Sequence, residues 1–259
     1  MLEAVVNEGS PEAAFSVVVC HPHPLGGGSL HNKVAYHAMK VMNAPEWGFG
    51  WPVLRFNFRG VGRSEGVHDG AAETEDVRAA VHWIENEYKR PVVVAGFSFG
   101  AAMALGACCE GNPSQVSESR APSASSGQAF DKLKAGAPPR EQRPVHGDPG
   151  SGAPAIDVRA LVAIGLPIHS GNARPDRRQY DYSFLAHCAL PKLFLSGDND
   201  QFATKAELIE VAAAAADPRQ LALVPGADHF FTGRLEPMQS YLSGWLKEYV
   251  YDPGQRSAV

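Results

Sequence analysis

No apolar run in this chain approaches the roughly 20 residues that a membrane span needs. The opening stretch "MLEAVVNEGSPEAAF" also lacks the basic start and continuous apolar core of a signal peptide. Basic residues form no block. The 23 Lys and Arg are scattered among 28 Asp and Glu, for a net charge of −5 at pH 7. Neither a nucleic-acid nor a membrane partner is expected. Cysteine is scarce, and Cys20, Cys108, Cys109 and Cys188 show neither a metal spacing nor a disulfide framework. The expectation is reduced core thiols in a cytoplasmic protein. There is no internal repeat.

What is present is a rhythm. The 259 residues suffice for one large α/β domain with a substantial core. "FSVVVC" (15–20), "PVLRFNF" (52–58), "PVVVAG" (91–96), "ALVAIG" (160–165), "KLFLSG" (192–197) and "QLALV" (220–224) read as strands. Most are nearly unbroken apolar runs, as strands buried on both faces should be. Helical patterns separate them: "HNKVAYHAMKVMN", "ETEDVRAAVHWIENEY", "FGAAMALGACC" and "TKAELIEVAAAAA", with "MQSYLSGWLKEYV" as a closing helix. In the second, Val77, Ala80, Val81, Ile84 and Tyr88 share a face. In the fourth, Thr204 and Glu207 have capping-box spacing. The alternation predicts a mostly parallel sheet covered by helices on both faces.

Residues from about 111 to 155 interrupt this pattern. They are dense in Gly, Pro, Ser and charge and lack periodicity. Such a stretch cannot bury enough surface to offset its ordering entropy, so a flexible insertion within one domain spanning 1–259 is expected.

"GFSFG" (96–100) lies where a strand meets a helix. A sharp strand–serine–helix turn is the setting of a nucleophile elbow, with glycines relieving crowding and a helix N-terminus facing developing negative charge. Ser98 is the candidate nucleophile. It needs a base, and His229 follows the last strand in a loop. His82 lies within a helix, and His68, His146 and His187 lack comparable context. The base needs an orienting carboxylate, and "KLFLSGDNDQF" offers Asp198 and Asp200, with Asp228 a weaker rival. The order serine, aspartate, histidine is that of the α/β-hydrolases. An oxyanion needs two backbone N–H donors. Phe99 offers one, and the loop "HPHPLGGGSLHNK" (21–33) must offer the other. Pro22 and Pro24 have no N–H. The Gly26–Gly28 run lacks the Gly-Lys-Ser/Thr of a phosphate loop.

On these motifs the chain resembles the α/β-hydrolase fold, in particular small serine hydrolases whose oxyanion loop reads H-P-H-P-L-x-G-G. The resemblance spans nearly everything outside 111–155 and includes "NFRGVGRSEG" (57–66), where Arg59, Gly60, Gly62 and Ser64 match. It implies Asp200 as the acid, through the family's G-x-x-D, leaving Asp198 to brace its loop. Reading His23-Pro24-Leu25 as the family's H-G-x implies Leu25 as the second oxyanion donor. It further implies His23 and Gly26 near substrate, and no metal or organic cofactor. The expected reaction is cleavage of carboxylic esters or thioesters through an acyl-enzyme. Dienelactone hydrolases are relatives by fold but use a cysteine nucleophile. A peptidase or amidase of the same fold, and a non-catalytic ligand-binding relative, are the alternatives; the insertion as an interaction tether is a third. Two departures stand out. Only about fourteen residues precede the strand leading to the oxyanion loop, room for "LEAVV" alone, so the family's first edge strand is expected to be missing or replaced. The short "IHSGNARPDRRQYDYSFLAHCA" stands where a cap would be inserted, so a nearly capless site is expected.

Overall fold

The computed structural model describes residues 1–110, 133–135, 157–169 and 180–251. Most of the stretch expected as an insertion therefore lies outside the described residues. Eight strands form one sheet: β1 (Leu2–Asn7), β2 (Ser16–Cys20), β3 (Val53–Phe56), β4 (Val92–Phe97), β5 (Leu133–Ala135), β6 (Val158–Ile164), β7 (Lys192–Gly197) and β8 (Arg219–Val224). Their order is β5-β1-β3-β2-β4-β6-β7-β8. Only β1 and β3 pair antiparallel; every other pair is parallel. The family's first edge strand is replaced rather than missing. Leu133–Ala135, from within the stretch read as an insertion, pairs with β1 at that edge.

The strands alternate between two cores, which is why most of their sequences are nearly unbroken apolar runs. Val18, Cys20, Val92 and Val94 face α2 (Glu73–Tyr88), α3 (Phe99–Cys109) and α4 (Lys205–Ala214). Val17, Val19, Val93 and Ala95 face α1 (Lys33–Asn43) and α5 (Leu235–Leu246). On α2 the predicted face is the buried one: Val77, Ala80, Val81 and Ile84 sit in the core with Tyr88 at its border. The Thr204–Glu207 capping box opens α4, each side chain bonding the other residue's backbone N–H.

The cysteine expectation needs correction. Cys109 and Cys188 form a disulfide, with their Cα atoms 5.3 Å apart, while Cys20 and Cys108 are free. The partners are 79 residues apart in sequence. They meet because the end of α3 packs beside a 3₁₀ turn, Ser183–His187, which no spacing rule detects. That turn is also the only regular element described between β6 and β7, so no cap domain is present among the described residues. No described helix is long and apolar enough to cross a membrane.

Candidate active site

Strands β3 and β4 flank β2, so the chain leaves β2 in one direction along the sheet and β4 in the other. In such sheets a crevice opens beyond the C-terminal strand ends where the order reverses. Ser98 stands there, after β4, and the 21–28 loop leaves β2 beside it.

The elbow is strained at its centre. Ser98 has φ 56° and ψ −123°, outside the regions that a non-glycine residue normally occupies. The flanking glycines are required by close backbone approach. A Cβ on Gly96 would overlap the carbonyl of Gly100, and one on Gly100 would overlap the carbonyls of Cys20 and His21. The Ser98 turn and the loop after β2 are thus packed main chain to main chain. The carbonyl of Ser98 accepts from Ala101 and Ala102, closing the first turn of α3. The Phe99 N–H, at the first helical position, has no intrahelical acceptor.

Three side chains distant in sequence meet at this turn. His229 Nε2 lies 2.9 Å from Ser98 Oγ. Its Nδ1 lies 2.8 and 3.0 Å from the two oxygens of Asp200. A carboxylate only accepts, so Nδ1 carries the proton toward Asp200 and Nε2 presents its lone pair to the serine hydroxyl. Ser98 is 8% exposed and His229 1%. Asp200 is held in turn by the Phe202 N–H, 2.8 Å from Oδ1, and the Phe202 ring lies 4.3 Å from the imidazole. Phe97 and Phe230 flank the same imidazole, each 5.1 Å away.

The rival carboxylates have other partners. Asp198 accepts from the Gly226 N–H at 2.7 Å, tying the loop after β7 to the loop after β8. Asp228 accepts from the Thr232 N–H at 2.8 Å and caps a turn within its own loop. The Asp228 carboxyl is held below the usual range, chiefly by that backbone donor.

The loop after β2 is braced by histidine. The buried His21 ring donates from Nδ1 to the Pro22 carbonyl at 2.7 Å and accepts the Phe58 N–H at Nε2, 3.0 Å away. Burial pushes its pKa down to about 4, so at neutral pH it is the uncharged ring these two bonds require. Leu25 is 83% exposed, and its N–H donates to His23 Nδ1 at 3.2 Å. The donor expected for the oxyanion is therefore engaged within its own turn. A side chain at Gly26 would meet open space, whereas one at Gly28 would strike the Pro22 carbonyl. In the 57–66 loop, Arg59 pairs with Asp76 of α2, and Ser64 bonds the Asn57 carbonyl and the Glu3 N–H. Arg59 and Ser64 thus shape the loop, and these bonds go to residues other than Ser98.

Sequence reasoning passed over His68. Its ring lies 4.8 Å from that of His23 and 5.5 Å from that of Phe99. Its Nδ1 is 2.5 Å from Glu73 Oε1, a carboxylate sealed from solvent at the start of α2. A His five residues before a Glu, with a loop between, carries no sequence signal. Among the described residues, no three His, Cys, Asp or Glu are placed to hold a metal ion.

The alpha/beta hydrolase family model matches residues 17–237. An uncharacterized protein of Rickettsia prowazekii is 28% identical over 245 residues, covering 92% of this chain and 80% of that protein. Two solved structures are each 24% identical. An alpha-beta serine hydrolase homologue from Coxiella burnetii has a TM-score of 0.66, with 94% of this chain and 90% of that one covered. A Xanthomonas campestris protein described as an a/b serine hydrolase without lid has a TM-score of 0.64, with 95% and 88% covered. At that identity the likeness establishes the shared fold. The family match runs from β2 into the first turn of α5 and takes in the sheet order, the turn at Ser98 and the His229 loop: the chain belongs to the alpha/beta hydrolase family.

Proposed function

We propose that this hydrolase cleaves carboxylic esters or thioesters through a covalent acyl-serine. The observation that carries the reading is the hydrogen-bonded series Ser98 Oγ, His229 Nε2, Asp200 carboxylate, at 2.9 and 2.8 Å. Ser98 attacks the carbonyl carbon while His229 takes the hydroxyl proton. The imidazolium then protonates the leaving alcohol or thiol as its bond to carbon breaks. Asp200 holds the tautomer and stabilises the ring while charged. Water, deprotonated by His229, attacks the acyl-serine, and Ser98 leaves with its proton restored.

The Phe99 N–H at the start of α3 is one oxyanion donor, favoured by the helix dipole. The second comes from the loop after β2, where only His23 and Leu25 carry an N–H among residues 22–25. For Leu25 to serve, its bond to His23 Nδ1 must be exchanged for the substrate oxygen. A small ester rather than a long peptide is proposed as substrate, in keeping with the likeness to the Xanthomonas structure described as without lid. Fluorophosphonate labelling tests the reading. The wild-type protein should be labelled at Ser98, and Ser98→Ala should lose both labelling and ester turnover with its fold intact. Labelling elsewhere would remove Ser98 from the mechanism.

A further inference from the structure

The His68–Glu73 pair takes no part in the proposed chemistry, yet it stands beside it. Glu73 is fully buried and accepts from three donors: His68 Nδ1 at 2.5 Å, the Asp69 N–H at 3.1 Å and the Gly70 N–H at 3.0 Å. A carboxylate so surrounded only accepts, so Nδ1 of His68 carries a hydrogen. The ring orientation is thereby fixed, and Nε2 becomes the outward atom. Nε2 bonds no other described residue and is not sealed from solvent; the side chain is 14% exposed. The ring leans on Phe99, the residue after the proposed nucleophile, and on His23 of the oxyanion loop.

The side of the cleft follows from the reaction. His229 must reach the leaving-group oxygen, so the leaving group lies toward the loops after β7 and β8. Of the two remaining substituents, the carbonyl oxygen goes to the Phe99 N–H, and the acyl chain is placed against the loops after β2 and β3, which bring His23 and His68 together. We infer that His68 is a specificity-determining residue that takes a hydroxyl on the acyl chain of the substrate, making hydroxy-acyl esters the preferred class. A hydroxyl both donates and accepts, so it bonds Nε2 as a lone pair and equally as an N–H. A purely apolar acyl chain would leave that nitrogen without a partner as it excludes water. The inference rests on the ester-hydrolase reading and adds to it an acyl preference.

The test uses nitrophenyl esters that share one leaving group and differ by hydroxyl against methyl: lactate against isobutyrate, and β-hydroxybutyrate against isovalerate. Each kcat/KM is divided by the rate of alkaline hydrolysis of the same ester, which removes intrinsic reactivity. For at least one pair, the wild-type protein should favour the hydroxy ester about fivefold, the scale of one neutral hydrogen bond at a partly solvated site. His68→Phe keeps a ring of similar shape and should bring that ratio to about one. His68→Gln, which can still donate and accept, should retain part of it. A wild-type ratio of one or below for both pairs overturns the inference without any variant. So does an equal preference in His68→Phe and wild type. The hydrolase reading fails separately, if neither ester is turned over or if turnover survives Ser98→Ala, and the inference then falls with it.

Discussion

The loops after β7 and β8 and the loops after β2 and β3 lie on opposite sides of Ser98, and they hold their shape by different means. The first pair joins its loops by main-chain contact between Gly197 and Ala227 and aims its site through ionisable side chains: Asp200 on His229, with Asp198 tying one loop to the other. The second pair also carries ionisable partners, Arg59 with Asp76 and His68 with Glu73, but its β2 loop meets the elbow through main chain, with glycines where backbones touch and uncharged imidazole as a strut between Pro22 and Phe58. A wall of side chains can be cut by replacing one functional group. A wall of main chain yields only when its backbone is forced apart or its strut is charged.

The largest effect is expected on the side-chain wall. Asp200→Asn should keep the fold and lower kcat by about 10⁴-fold, because an amide favours the wrong imidazole tautomer. Steady-state ester hydrolysis measures it, and a loss under tenfold would take Asp200 out of its proposed role. The main-chain wall should respond to acid. The His21 ring titrates near 4 when folded against about 6.5 when unfolded, so on acidification the unfolded chain binds the proton first. Its contribution is present above about 6.5 and is lost as pH falls toward 4, for a total of about 3 kcal/mol. An NMR titration of the His21 ring checks this directly, and a midpoint near 6.5 would refute it.

Gly100→Ala probes the seam between the elbow and the loop after β2. Its Cβ would overlap two carbonyls, so a loss of about 2 kcal/mol in urea unfolding is expected. Unchanged stability would mean that the seam gives way freely. The smallest effect belongs to Asp198→Asn. The amide oxygen can still accept the Gly226 N–H, so less than about 1 kcal/mol of stability should be lost, with turnover close to wild type. A collapse of activity here, with Asp200→Asn mild, would exchange the roles of the two aspartates.

The two walls were not equally legible from sequence. Ser98 and His229 could be named because each follows a strand and the topology sends every parallel strand end to the same edge of the sheet; Asp200 was separated from Asp198 only by the resemblance, through its G-x-x-D. Six of the strands were legible because burial on two faces leaves a nearly continuous apolar imprint, and the five described helices lay in the helical patterns between and after them. The main-chain wall was harder to read. Nothing in "HPHPLGGG" says that the Leu25 N–H turns to the ring of His23, because that bond depends on dihedral angles within one tight turn. The partnership of His68 and Glu73 was hidden behind a loop that looks like any other. The strand at Leu133–Ala135 carries no alternation, and three residues are too few to show a period. The Cys109–Cys188 pairing belongs to tertiary packing alone.

That pairing has a consequence for the covalent integrity of the site. A protease cut anywhere between residues 110 and 187 would place Ser98 on one polypeptide and Asp200 with His229 on the other. The sulfur bridge between positions 109 and 188 spans every such cut. A nicked molecule would run as a single band without reductant and as two with it, and it would keep Ser98 and His229 in one covalent body until a thiol released them.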